Sequence, residues 1–209
     1  LSQNLSVTQN VKVTHLKPHN EKISVLNDRS NIWETYDAVI STLPAPQNLD
    51  LMKKFPILKK TLETASYDAC IALMFIFDEK PKNIPYFFEY NNQQGMLSWM
   101  AAGSNLRFWT ALTKGYYSNK NINKDKILLK DEIFPEIEKT IYQLEPNIKI
   151  NFHSLHIWKY AKVTKVCSGP QIDPKFPIVV AGDFMEGASV ESAFSSGEKA
   201  AELILERLH

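Results

Sequence analysis

The early part of the chain alternates apolar and polar residues with a period of two, the pattern of half-buried β-strands. The alternation occupies residues 10–16 and 22–26, and a third short segment, 31–34, follows a run of turn-forming residues. We expect these three segments to form a small β-meander.

Two other short segments, 38–40 and 178–181, are apolar at every position. A continuous apolar run indicates a strand that is buried on both faces, as in a parallel sheet. Pro44 and Pro46 end the first of these strands abruptly. Although the two segments are far apart in sequence, they could belong to one sheet, with the middle of the chain as an inserted domain.

The middle of the chain predicts short helices followed by antiparallel β-structure. Apolar residues recur at helical spacing over 49–64, and a polar loop is expected at 119–126. Strand patterns occupy 67–77, 86–90, 96–101, 107–112 and 149–163. An amphipathic helix is predicted over 127–144, and Pro135 should split or kink it.

A long helix is predicted at the end of the chain, over 190–208. Its predicted packing face consists of Val190, Ala193, Phe194, Gly197, Ala201, Ile204 and Leu208. The whole pattern predicts an α+β protein. A mostly antiparallel domain, residues 49–165, is inserted between two segments of an α/β domain, residues 1–48 and 166–209.

Composition narrows the class of protein. With 209 residues, 44% of them hydrophobic, the chain can bury a core, and a net charge of +1 gives no sign of nucleic-acid binding. The longest apolar run, 69–77, is too short to cross a bilayer, and no signal peptide is visible, so we expect no membrane partner and a cytoplasmic location. Because the chain begins at Leu1 and not at methionine, we also expect that an upstream segment is missing.

The cysteines and histidines do not predict a metal site. Cys70 and Cys167 lack the spacing of zinc ligands or of a disulfide framework. His153 and His156 are three residues apart on a predicted strand, so they should point to opposite faces.

The strongest local signal for chemistry lies in residues 179–191, where a buried strand runs into a loop and then a helix. Gly182 permits close approach of another group, and Asp183 is a fixed acceptor at the end of the strand. The backbone N–H groups of Val190 and Glu191, at the start of the helix, can donate to an anionic or carbonyl oxygen. Such a corner suits a ligand, but the same residues could equally organise a turn and cap a helix.

This corner resembles the flavin-contacting motif of amine-oxidase-like, and more closely renalase-like, FAD-dependent oxidoreductases. The resemblance is carried by Gly182-Asp183, by 190–197 and by Ala200-Ala201, with 36–47, 97–99 and 156–161 matching in the same order. It implies that 1–48 and 166–209 are remnants of a Rossmann-like, flavin-binding domain and that 49–165 is the substrate-type domain.

What the resemblance implies for the site is specific. FAD is the expected cofactor, with Asp183 contacting its ribityl region and the backbones of Val190 and Glu191 facing the pyrimidine edge of the flavin ring. Trp158 and Tyr160 would be aromatic walls near the ring. A small molecule, an amine or a dihydropyridine, would give a hydride to the flavin, and dioxygen would reoxidise it. The sequence identifies no catalytic residue.

The chain also departs from this family. The family's N-terminal βαβ unit, with its G-x-G-x-x-G turn, has no counterpart here, because the first glycine is Gly95. Ile157 stands where the family usually has arginine. The alternative is therefore a catalytically silent or flavin-free module that forms a homodimer through an exposed sheet edge.

Overall fold

The computed structural model describes residues 5–209 and shows a mixed α and β protein, as predicted. Residues 1–4, which open the first predicted domain segment, lie outside the described residues. The chain forms two compact units, Leu1–Ser66 with Val163–His209, and Tyr67–Lys162. Residues 49–66, which were assigned to the inserted domain, belong to the first unit. The flavin-binding and substrate-binding roles of the two parts stay predictions.

The described part of the chain contains ten strands and five α-helices. The strands are β1 Val13–His19, β2 Lys22–Asn27, β3 Trp33–Tyr36, β4 Val39–Ser41, β5 Ser66–Phe77, β6 Phe87–Glu89, β7 Leu97–Ala102, β8 Phe108–Thr113, β9 Ile150–Lys165 and β10 Ile178–Val180. The helices are α1 Ala45–Leu51, α2 Pro56–Leu62, α3 Gly115–Asn121, α4 Lys126–Leu144 and α5 Val190–Leu208. Short 3₁₀ helices occupy Met52–Lys54 and Asp183–Met185.

In the first unit, β1, β2 and β3 form the expected antiparallel meander. Asn20 makes the tight turn between β1 and β2 with a φ of 53°, a conformation that asparagine tolerates better than most residues. Leu16 and Ile23 point into the core, with 5% and 0% of their surface exposed. Burial in β2 does not alternate, however, because Ser24 on the opposite face is also buried, where its hydroxyl is within hydrogen-bond distance of the Thr35 hydroxyl at 3.1 Å.

The two apolar segments pair with each other. β4 and β10 run parallel, with Val39 opposite Ile178 and Ser41 opposite Val180. All three residues of β10 are fully buried, which explains why its sequence has no polar position. The opposite edge of β10 is covered by the preceding loop, because the Val180 N–H donates to the Gln171 carbonyl. The two segments thus belong to one sheet.

The second unit contains a five-stranded sheet in the order β6-β7-β8-β5-β9. Every second residue of β5, from Ala69 to Phe77, is buried. Helix α4 shares the hydrophobic core of this sheet through Leu129, Ile133, Phe134, Ile137 and Ile141. The helix is continuous through Pro135, so the predicted split was wrong. Residues 115–121, partly assigned to a polar loop, form α3.

The packing face of α5 differs from the prediction. Its buried residues are Ser196, Ala200 and Ile204, whereas Val190 and Phe194 expose 82% and 60% of their surface. The helix turns a polar serine inwards because Ser196 makes buried hydrogen bonds, described below. No helix of the described residues is both long and apolar enough to cross a bilayer.

Candidate functional site

The predicted corner is built where β10 ends and α5 begins. Ala181 donates its N–H to the Ser41 carbonyl at 3.0 Å, so the carboxyl ends of the parallel strands β4 and β10 are joined there. Gly182 follows with a φ of 154°, and a 3₁₀ turn over Asp183–Met185 leads on to the helix. In open α/β sheets, the carboxyl ends of parallel strands are the usual place for a ligand.

Gly182 is required for a reason internal to the fold. A Cβ at this position would lie 2.5 Å from Cε1 of the Phe184 ring, which is itself buried. The close approach that the sequence predicted at this glycine is therefore made by Phe184 of the same chain. The Cys167 N–H donates to the Phe184 carbonyl at 2.7 Å, and this hydrogen bond fixes the turn to the preceding loop. Burial raises the pKa of the Cys167 thiol to about 11, so it stays protonated and is a poor nucleophile.

Asp183 presents a half-buried carboxylate at the corner. Its backbone carbonyl accepts from the N–H groups of Glu186 and Gly187, at 3.2 and 2.7 Å. Among the described residues, no hydrogen-bond or ion-pair partner is found for its side-chain carboxylate. A carboxylate on a rigid turn, half-buried and without a protein partner, is able to accept hydrogen bonds from a ligand's hydroxyl groups.

The first turn of α5 offers backbone donors beside this carboxylate. Ser189 caps the helix by accepting from the Ser192 N–H at 3.0 Å, and the Ala193 N–H bonds the Ser189 carbonyl. Within the described chain, the N–H groups of Val190 and Glu191 have no such partner. Together with the helix dipole, these free donors favour an electron-rich oxygen or a developing negative charge.

Two residues that the sequence analysis did not single out fix the corner. The Oγ of buried Ser196 accepts from the Gly182 N–H at 3.1 Å. The Gln171 side chain donates to the Ser196 carbonyl at 2.8 Å and to its Oγ at 3.2 Å. The signal in the sequence that could have identified Ser196 is its position four residues before Ala200, on a helical face that is otherwise apolar.

A third missed residue, Asn48, fixes the end of β4. It is fully buried, its Nδ2 donates to the Leu43 carbonyl at 2.6 Å, and its Oδ1 accepts from the Ser41 hydroxyl. The turn after β4 is thereby held next to Ala181.

A groove of about 980 Å³ runs along β4 in the same unit. Its walls come from β1, from the residues of β4 and the turn after it, and from α1, and they are mostly apolar. The residues that line it include Val13, Leu16, Ile40, Leu43 and Leu51. Because Ser41 and Thr42 also line it, the groove reaches the carboxyl end of β4, where the corner begins.

Four of the predicted site residues lie together within one unit. Gly182, Asp183, Val190 and Glu191 lie in one corner of the first unit. Trp158 lies on β9 in the second unit, where it exposes 55% of its surface and its ring centroid is 4.4 Å from that of His156. The ring of Tyr160, on the same strand, meets the ring of Tyr67 edge-on, with 5.7 Å between the ring centroids. The expected contact of Trp158 with a cofactor stays a prediction.

Comparison with known proteins identifies the fold but not the family. No protein-family model matches the chain, and no curated protein matches its sequence. Its structure is similar to that of an Exiguobacterium protein, provisionally named as a protoporphyrinogen oxidase, with a TM-score of 0.64 and 14% identity. It is also similar to an oxidoreductase from Methanosarcina mazei, with a TM-score of 0.63 and 16% identity.

These two matches cover 95% and 92% of this chain but only 46% and 49% of the other chains. The chain therefore spans about half the length of the solved structures that it matches. At this level of identity, the similarity establishes a shared fold over that half.

Proposed function

We propose that this chain is the cofactor-orienting and substrate-side part of a FAD-dependent oxidoreductase. The proposal rests mainly on one observation, the unpartnered carboxylate of Asp183 next to the free N–H groups of α5. The similarity in fold to two chains named as oxidoreductases supports it.

The residues at the corner fit the polar part of a flavin. Asp183 would accept hydrogen bonds from ribityl hydroxyls, because its carboxylate is fixed by the turn and has no competing partner among the described residues. Val190 and Glu191 would donate backbone N–H bonds to the pyrimidine edge of the ring, where electron density rises on reduction. Gly182, predicted to contact the cofactor, would also shape this corner, because the absence of a side chain makes room for Phe184.

The chemistry that bound FAD would supply is the oxidation of an amine or dihydropyridine-type substrate by hydride loss, with dioxygen and one proton from solvent consumed to give hydrogen peroxide. The protein's own contribution is to bind and orient. Trp158 and Tyr160 would supply flat apolar surface on the substrate side.

The proposal is tested by titrating FAD into the protein, in the longest form that its gene encodes, and following flavin fluorescence. Asp183→Ala should weaken FAD binding by about tenfold, because a charge-assisted acceptor is lost. Glu186→Ala is the matched control, since it removes an exposed carboxylate three residues away and should leave the affinity unchanged. A folded protein that binds no FAD, or an Asp183→Ala variant that binds it normally, would contradict the proposal.

The substrate class needs a separate measurement. Hydrogen peroxide release should be assayed with primary amines, with reduced nicotinamide-type dihydropyridines and with a porphyrinogen, because one similar structure carries a porphyrinogen-oxidase name. Turnover of an amine or dihydropyridine is the expected result, and turnover of the porphyrinogen alone would replace the proposed substrate class.

A second candidate is a flavin-free module that self-associates. The observation in its favour is the outer edge of β4, because β10 is the only strand that pairs with β4 in the described part of the chain. A monomer that binds FAD tightly would count against this alternative.

A further inference from the structure

We draw no further inference here: the strongest candidate, the apolar groove that runs along β4 towards the corner, belongs to the site already described, and nothing in the structure shows what covers it.

Discussion

Helices α4 and α5 are equal in length, with 19 residues each, but they bury very different surfaces. α4 contributes five apolar side chains to the core of the five-stranded sheet, whereas α5 buries a serine, an alanine and an isoleucine. Both begin at a capped first turn, with Asp125 accepting from the Ile127 N–H at 2.8 Å and Ser189 from the Ser192 N–H at 3.0 Å. The comparison indicates that α4 stabilises the fold, whereas α5 fixes the corner and leaves large apolar side chains exposed.

The largest effect is expected from truncating the core face of α4. Ile137 is fully buried, so Ile137→Ala should lower the free energy of unfolding by about 2–5 kcal/mol through lost burial and a residual cavity. Urea denaturation monitored by tryptophan fluorescence measures this loss. Ile127→Ala, at an exposed position on the same helix, should change it by less than about 0.5 kcal/mol. Equal effects at both positions would contradict the assignment of the packed face.

Replacing the proline inside α4 should raise the free energy of unfolding by about 2 kcal/mol. Pro135 is exposed inside the helix, where proline cannot donate the backbone hydrogen bond to the carbonyl of Asp131. Pro135→Ala should restore this bond and the helical propensity of the site, with part of the gain offset by a more flexible unfolded chain. Thermal and urea unfolding would both report it, and a loss of stability would mean that the proline ring packs against a neighbour.

On α5, replacing Ser196 should lower the free energy of unfolding more than replacing the exposed Phe194. Ser196→Ala removes the acceptor of the Gly182 N–H and should cost about 1–2 kcal/mol. Amide hydrogen exchange should also accelerate at Gly182. Ser195→Ala, one residue earlier and exposed, is the control and should leave exchange at Gly182 unaltered.

The smallest effect is expected at Gly197. Gly197→Ala should raise the free energy of unfolding of the monomer by about 0.5–1 kcal/mol, because alanine is the better residue in a helix and nothing obstructs its Cβ. Gly187→Ala provides the opposite control. Gly187 has a φ of 150°, so a side chain there is strained and should destabilise the corner. If Gly197→Ala destabilises the monomer, its surroundings are less open than the structure indicates.

The positions of most strands of this fold could be predicted from the sequence, because each is a short alternating or apolar run between turn-forming residues. The unbroken apolar run of β10 follows directly from its two buried faces, whereas β4 was wrongly predicted to be buried on both faces, because Ile40 exposes 42% of its surface. The parallel pairing of β4 with β10, however, joins segments about 140 residues apart, and sequence spacing could only suggest it.

The helices were harder to predict because tertiary contacts override local preferences. Pro135 lies within α4 because the helix is held by its packed face, which compensates for one missing hydrogen bond. The predicted packing face of α5 was wrong. The spacing of apolar residues favoured Val190 and Phe194, whereas the hydrogen bonds of Ser196 determine which face is buried. Of the site, Gly182, Asp183 and the first turn of α5 could be located from the sequence, but Gln171 and Asn48 become meaningful only through contacts across the fold.

The ring of Phe184, packed into the space beside Gly182, has one more consequence. The chain itself holds the turn that carries Asp183, so the carboxylate is preorganised before any ligand arrives. A ligand at this corner would not have to compensate the entropy of ordering a loop, and its contacts there would contribute almost fully to affinity. Replacing Phe184 by alanine should therefore slow no chemistry directly, but it should weaken binding by making the free state of the corner more heterogeneous.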